Sequence, residues 1–309
     1  MRRAAEAFPL RPNELFVALD AMGVYGCHTA GVYRPSRIVP QGQDQTGGTR
    51  MKVLLLAAGV GRRLGDPNRD MPKALLRFGD KSLLQRHIEI LHSFAITDIA
   101  VTVGHLAETI RQEIARLGLG EQVRTIDNPR YREGSVVSLW SGRDVLTSGE
   151  PVLLMDADVL YDARLMSRLL TGDPANCFLL DRAIAPGDEP VKLCIRDDRI
   201  VDFHKRPQVA HDWHGESVGF FRLTPPIAAA LAARADDYVR QGSAQLEYEE
   251  PLRDMVLAAA PGTFGYAEVT GLPWTEIDFA EDVRHAQTAI FPRLLDVATT
   301  RAAVAGAAG

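Results

Sequence analysis

From Met51 onward, short apolar runs alternate with stretches of helical period. The apolar runs at residues 53–56, 99–103, 123–126, 152–155 and 178–180 are bounded by turn-forming residues, a pattern that predicts short buried strands. Between them, Leu84, Ile88, Leu91 and Ala95 recur at helical spacing, as do Leu106, Ile110, Ile114 and Leu117. His87 and His92 fall on the first of these helices and read as surface or core-edge residues. Ser135 is placed to cap a third helix running through Leu139 and Val145. Strand, helix, strand repeated in this way implies right-handed crossovers and a mainly parallel sheet. The pattern then changes. Apolar stretches at 191–195 and 199–203 flank Arg196-Asp197-Asp198 and predict a β-hairpin. A strand at 218–223, helices near 226–239 and 251–259, a strand at 263–269 and a last helix from about Ala280 complete the prediction.

Residues 1–50 differ from the rest. Their one apolar run is 15–19, and residues 41–48 are rich in Gln and Gly, as linkers are. The expected organisation is therefore a poorly ordered N-terminal extension over 1–50, one α/β domain over 51–294, and a C-terminal tail over 295–309. The segment Phe16-Val17-Ala18-Leu19-Asp20-Ala21-Met22-Gly23 resembles the first motif of haloacid-dehalogenase phosphatases. Met22 stands where that motif has its second Asp, which argues against an active phosphatase module.

Charge and cysteine content narrow the function class. The chain has 35 Lys and Arg against 40 Asp and Glu, a formal net charge of −5. That balance argues against a general nucleic-acid binder, which needs a basic face. Cys27, Cys177 and Cys194 form no C-x-x-C pair, so neither a cysteine zinc site nor a disulfide framework is expected, in keeping with the cytoplasm. No apolar run approaches the ~20 residues of a membrane helix, and Arg2 and Arg3 precede no signal-like stretch.

The chemistry concentrates in three places. After the first strand comes Leu56-Ala57-Ala58-Gly59-Val60-Gly61-Arg62-Arg63-Leu64, then Pro72-Lys73-Ala74-Leu75-Leu76. Glycines let backbone N–H groups approach phosphates, and Arg63 and Lys73 add the charge a triphosphate needs. Leu64 stands where a dinucleotide fingerprint needs Gly, and no Gly-Lys-Ser/Thr follows as in a Walker A loop. The second place is Val152-Leu153-Leu154-Met155-Asp156-Ala157-Asp158, where strand alternation puts Asp156 and Asp158 on one side at a strand's carboxyl end. Such hard carboxylates suit Mg²⁺. The third is Trp274-Thr275-Glu276-Ile277-Asp278, followed by Asp282 as a first-turn helix charge. The eight histidines include no H-E-x-x-H, which disfavours a zinc hydrolase.

The glycine loop with its Pro-Lys-x-Leu-Leu sequel resembles the signature of nucleotidyltransferases that join an NTP to a phosphorylated acceptor. The resemblance covers about residues 51–294 and is strongest to phosphocholine- and phosphonate-type cytidylyltransferases. It implies a Rossmann-like three-layer sandwich, of the nucleotidyltransferase or glycosyltransferase-A kind, with a small β-hairpin acceptor region. It also implies a Mg²⁺-dependent enzyme that transfers CMP from CTP to a small phosphorylated alcohol or phosphonate and releases pyrophosphate. By the same resemblance, Leu56, Ala57, Ala58, Gly59, Gly61, Asn128 and Ser135 bind the nucleotide, and Asp156, Asp158 and Asp278 hold the metal. Arg63, Lys73 and Lys192 serve catalysis, and Lys205 and Glu216 meet the acceptor. Asp278 can instead be a helix cap, and Lys192, Lys205 and Glu216 can instead be plain strand residues. Gly134 departs from the family's frequent Asn. Tyr131, Trp140, Trp213 and Trp274 are candidates to cradle a quaternary ammonium. The alternatives are a sugar-1-phosphate nucleotidylyltransferase and a non-catalytic relative acting as a regulatory subunit. Expected partners are the NTP and the acceptor, with no nucleic acid or membrane insertion; a homodimer is compatible with the sequence.

Overall fold

The side chains of the first strand set the layers. Val53 and Leu55 point to one face of the sheet and Leu54 to the other, and all three are fully buried. A strand buried on both faces needs helices above and below it. The computed structural model describes residues 51–61, 63–64, 71–184, 187 and 189–295. The chain divides into two units, Met1–Gln41 and Gly42–Gly309, and the first lies wholly outside the described residues. So do the expectations made above for residues 1–50 and 296–309.

The strands are β1 (Lys52–Ala57), β2 (Arg77–Phe78), β3 (Lys81–Ser82), β4 (Asp98–Val103), β5 (Val123–Asp127), β6 (Val152–Asp156), β7 (Val159–Tyr161), β8 (Cys177–Asp181), β9 (Lys192–Arg196), β10 (Arg199–His204), β11 (Trp213–Leu223), β12 (Gly265–Glu268) and β13 (Trp274–Glu276). The helices are α1 (Leu83–Ser93), α2 (Ala107–Arg116), α3 (Ser135–Ser141), α4 (Arg143–Leu146), α5 (Arg164–Thr171), α6 (Pro225–Arg240), α7 (Glu249–Ala258) and α8 (Ala280–His285). The main sheet runs β10-β9-β11-β6-β1-β4-β5, with β8 and β12 joined through β11. Its run β6-β1-β4-β5 is parallel, as the strand–helix alternation predicts. Side chains of α1, α2 and α5 bury against one face, and those of α3, α4, α6 and α7 against the other. A third, smaller core ties β2 and the 3₁₀ turn before it to the C-terminal segment, through Leu76, Phe78, Ile277 and Ile290. No helix among the described residues is long and apolar enough to cross a membrane.

Several details differ from the sequence expectation. Ala95 and Leu106 fall outside their helices with positive φ, and Leu106 is exposed. His87 is a core residue rather than an edge one. It lies on the buried stripe of α1, its ring 5.0 Å from Tyr161 and 5.9 Å from Phe220, and burial lowers its pKa to about 3. Ser135 is not a cap, because Gly134 occupies the cap position and Ser135 opens α3. The predicted third helix also breaks at Gly142, where an added Cβ would meet Leu54 at 2.5 Å.

The position of the cleft follows from β11. Glu216 is in register with Lys192 of β9 on one side and Asp181 of β8 on the other. Phe221 is in register with Leu154 of β6 and Phe178 of β8. A strand has only two edges, so β9 and β6 follow one another along the same edge of β11. The sheet therefore forks between residues 217 and 219. Gly219, at φ +77°, makes the bend.

Candidate active site

β1 ends at Ala57, and the chain turns through Ala58, Gly59 and Gly61. Gly61 has φ +63°, which side-chain-bearing residues resist. Gly59 has nothing within 4 Å of where a Cβ would stand, so the loop borders open space. The His105 N–H donates to the Ala58 carbonyl and the Ala157 N–H to the Leu56 carbonyl, each at 3.1 Å, tying the loop to its neighbours. A cleft of about 440 Å³ opens beside it, lined in part by Leu56, Ala58, Gly59, Ser135, Ser217 and Gly219. A second hollow of about 210 Å³ is lined by Ala57, Gly61 and Lys73 among others. The two share Leu56, Gly59, Arg63, Asp158 and Asp278.

Asp158, Glu276 and Asp278 each bring a carboxylate oxygen within 4.8 Å of the others. Residues over a hundred positions apart meet because β13 pairs with β7 and the Ile277 N–H donates to the Asp158 carbonyl at 3.0 Å. Ile277 is buried in the small core, so its neighbours Glu276 and Asp278 both reach the cleft. Asp282 accepts the N–H groups of Asp278 and Phe279 at 2.8 and 2.7 Å, which holds this turn. Lys73 lies between two of the carboxylates, its Nζ 2.9 Å from Asp158 and 2.6 Å from Asp278. Burial works against its charge, but the two carboxylates outweigh burial and raise its pKa. Asp278 falls below the usual carboxylate range because Lys73, then Arg63, outweigh the effect of burial. Arg63 is 3.1 Å from Glu189 and 3.8 Å from Asp278, with its guanidinium 5.5 Å above the Phe279 ring. An oxygen-only set of clustered carboxylates fits a hard cation such as Mg²⁺, and lacks the nitrogen and sulfur that zinc prefers.

The other expected site residues divide. Asp156 lies outside the three-carboxylate group. β6 ends at Asp156, so strand alternation no longer governs Asp158, and the Asp156 Oδ2 accepts the Tyr248 hydroxyl at 2.6 Å. Asp156 still faces the cleft. Lys192 is not among the described lining residues: its Nζ donates to the carbonyls of Gly187 (2.9 Å), Pro190 (3.3 Å) and Lys205 (2.8 Å), bracing the two strands of the hairpin. Lys205 does line the cleft, 3.3 Å from Glu247. Glu216 sits in β11 opposite Lys192, outside the described lining. Asn128 is buried beneath the loop that follows β5. Its Oδ1 accepts the Arg130 N–H at 2.9 Å and its Nδ2 donates to Ser138 at 3.1 Å. Ser135 lines the cleft and accepts the Tyr248 N–H at 2.9 Å.

The aromatic cradle is largely absent. Trp140 is hydrogen-bonded to Asp236, Trp274 to Asp181, and Trp213 stacks under Arg182; among the described residues only Tyr131 of the expected four lines the cleft. Among the lining residues to which the sequence analysis gave no role are Glu276, Tyr248 and Glu249. Burial and the charges of Asp158 and Asp278 push Glu276 well above the carboxylate range. Burial, then Asp158 and Glu249, do the same to Asp156, and burial and Glu247 push Glu249 up to about 8. Alternation about the apolar Ile277 was the available signal for Glu276. Nothing local marked Tyr248 or Glu249, which come from the far side of the fold.

Comparison with known proteins agrees with this fold. The chain is 24% identical over 248 residues to the CMP-5'-(3-aminopropyl)phosphonate synthase of Streptomyces rubellomurinus, covering 78% of this chain and 39% of that one. It is 21% identical over 250 residues to the CTP:phosphoglutamine cytidylyltransferase of Campylobacter jejuni, covering 75% of this chain and 98% of that one. The chain thus spans 39% of the length of the first relative, and 52% of another that it matches. Among solved structures, the fold matches the CTP:phosphocholine cytidylyltransferase of Streptococcus pneumoniae with a TM-score of 0.60 and 21% identity, covering 77% of this chain and 98% of that one. Residues 53–196 match the MobA-like NTP transferase domain, and cytidylyltransferases are among the proteins the chain is similar to.

Proposed function

We propose that the chain is a Mg²⁺-dependent cytidylyltransferase that transfers CMP from CTP to a small phosphorylated alcohol or phosphonate. The observation that carries this reading is the grouping of Lys73, Asp158, Glu276 and Asp278 beside a glycine loop at the carboxyl ends of β1 and β6, the edge where open α/β sheets bind ligands. An oxygen of the acceptor's phosphate or phosphonate attacks the α-phosphorus of CTP in line. The new O–Pα bond forms as the bond to the β-phosphate breaks, and pyrophosphate departs with the electron pair. No covalent enzyme intermediate is required, so the protein's work is positioning and charge neutralisation.

Gly59 and Gly61 let the backbone close on the phosphates, and the polar groups of residues 56–59 face the cytosine edge. Lys73 and Arg63 neutralise the departing pyrophosphate. Lys205, which faces the cleft, takes the acceptor's anionic group in place of Lys192, while Asn128 and Ser135 hold the loops that border the nucleotide. Asp158 and Asp278, with Glu276, are the residues that would hold Mg²⁺, which when bound supplies positive charge to the phosphate oxygens.

The test is pyrophosphate release with CTP, ATP, GTP, UTP and dTTP against phosphocholine, 2-aminoethylphosphonate and glucose-1-phosphate. A site that hydrogen-bonds an exocyclic amine rejects a base lacking it by about tenfold to a hundredfold. CTP with a small phospho-acceptor is expected to give the highest kcat/KM. If UTP or dTTP with the sugar phosphate wins, the chain is instead a sugar-1-phosphate nucleotidylyltransferase.

A further inference from the structure

The cleft holds more carboxyl groups than an enzyme for two anionic substrates needs. Eight of its described lining residues are carboxylates. Asp158, Glu276 and Asp278 form the cation cluster. Glu133 pairs with Arg130, Glu189 with Arg63 and Glu247 with Lys205. That leaves Asp156 and Glu249. Among the described residues, neither has a cation within ion-pair distance. Asp156 has the Tyr248 hydroxyl as partner, at 2.6 Å, while the Glu249 Oε2 is buried with no hydrogen-bond partner. An acceptor oxygen left in that condition is costly unless a ligand donor fills it.

We infer that Asp156 and Glu249, joined through Tyr248, bind a primary ammonium group on the acceptor, which is therefore an aminoalkyl phosphate or phosphonate. The inference rests on the reading of the site as a nucleotidyltransferase centre, and adds the recognition of the acceptor's other end. Space for the group exists at the sheet's fork. Gly219 faces Asp156 so closely that a Cβ there would lie 2.2 Å from its Oδ2, so glycine keeps the carboxylate clear of a side chain. Lys205, which moderates the charge of Glu249, lines the same cleft and is the partner for the anionic end of the same molecule.

The type of amine follows from the chemistry of the walls. A primary ammonium donates three hydrogen bonds and needs oxygen acceptors, whereas a quaternary ammonium donates none and is held by aromatic faces. The described aromatic residues of the cleft do not form such a cage. Phe203 is packed edge-to-face with Phe178 and Phe221 in the core, Tyr131 stacks with Arg132, and Tyr248 is committed to Asp156. Unfilled carboxylate oxygen is what the site offers.

The experiment measures CTP-dependent pyrophosphate release by the full-length protein with matched acceptors: 2-aminoethylphosphonate against propylphosphonate, and phosphoethanolamine against phosphocholine. The expected result is a preference of about tenfold or more in kcat/KM for the primary amine in each pair. In Glu249→Gln, the preference over propylphosphonate is expected to collapse through a higher KM for the amine, with kcat for that acceptor largely kept. Asp156→Asn serves as the second variant and is expected to act in the same direction. Equal use of propylphosphonate, better use of phosphocholine, or an undiminished preference in both folded variants would overturn the inference and leave the cytidylyltransferase reading standing. Absence of pyrophosphate release with CTP and every acceptor would instead sink that reading, and this inference with it.

Discussion

Lys73 and the carboxylates on either side of it have, in the proposed mechanism, a role that matters more to function than to stability. The three side chains are part-buried, but none belongs to an apolar core; Lys73 opens a 3₁₀ turn, and Asp158 and Asp278 sit on turns that follow strands. Asp158→Ala or Asp278→Ala is therefore expected to cut turnover by about a hundredfold or more, in line with the loss of a preorganised charge, while the cooperative unfolding transition survives. Full activity in either variant, or activity undiminished by EDTA, would remove the proposed role of the cluster. Glu249 makes a different prediction. Its folded pKa of about 8 lies above the ordinary 4.5, so the folded state holds a proton that the unfolded chain has already lost. Stability from this group is present below about pH 4.5 and declines as pH rises toward 8. Asp156 and Glu276 are raised too and add to the same trend. Glu249→Gln should flatten the decline, raising Tm at pH 8 by about 2–4 °C for each kcal/mol of charge burial removed, with little change at pH 4.5. A thermal scan across pH that gave parallel curves for the two proteins would refute the assignment.

At the scale of elements, local pattern and long-range packing part company. β1, β4, β5 and β6 were legible because an apolar run with turns at both ends has few other readings, and the hairpin β9–β10 because Asp197 and Asp198 interrupt two such runs. The full length of β11 was not legible, since Gly215, Glu216 and Gly219 spoil its alternation, and it is the fork in that strand that places the cleft. The same limit explains Lys192 and Lys205: Lys192 stands on one predicted strand and Lys205 follows the other, and only the assembled structure tells which one lines the cavity. Gly134 has a reason that the sequence hides. Its N–H donates to the Ala244 carbonyl at 2.8 Å, and an added Cβ would lie 1.9 Å from the Leu246 carbonyl oxygen. A larger residue there must push away the segment that carries Gln245, Glu247 and Tyr248 into the cleft. Gly134→Ala is expected to cost about 1–3 kcal/mol and to raise KM for the acceptor, whereas Gly120→Ala, where a Cβ meets nothing within 4 Å, should be nearly silent. Chemical denaturation and acceptor titration of the two variants side by side decide the matter, and equal behaviour would mean that the 244–248 segment yields freely.

For the whole molecule, the question is how much chain the site requires. The cleft draws on residues from Leu56 to Asp278, and the supporting cores extend from Met51 to Ile290. Glu276 and Glu249 reach one cavity only after the sheet, the α7 segment and β13 have all been assembled, so no window of sequence could show them together. Met51 is already buried in the first core, and the Lys52 N–H donates to the Pro151 carbonyl at 2.9 Å, so the described sheet closes its first strand with its own residues. β1 is central, paired with β4 on one side and β6 on the other, and has no open edge for a preceding strand to occupy. On that basis we propose an extension over 1–50 and a catalytic domain over 51–294. A chain beginning at Met51 is expected to unfold in one cooperative transition and to release pyrophosphate from CTP with kcat/KM within about twofold of the full-length protein, a difference of about 0.4 kcal/mol. Two measurements separate the outcomes. If the shortened chain unfolds at a lower temperature but keeps its kcat/KM, residues 1–50 contribute packing and not chemistry. If it stays folded and loses turnover, residues 1–50 supply part of the catalytic unit, and the boundary at Met51 is wrong.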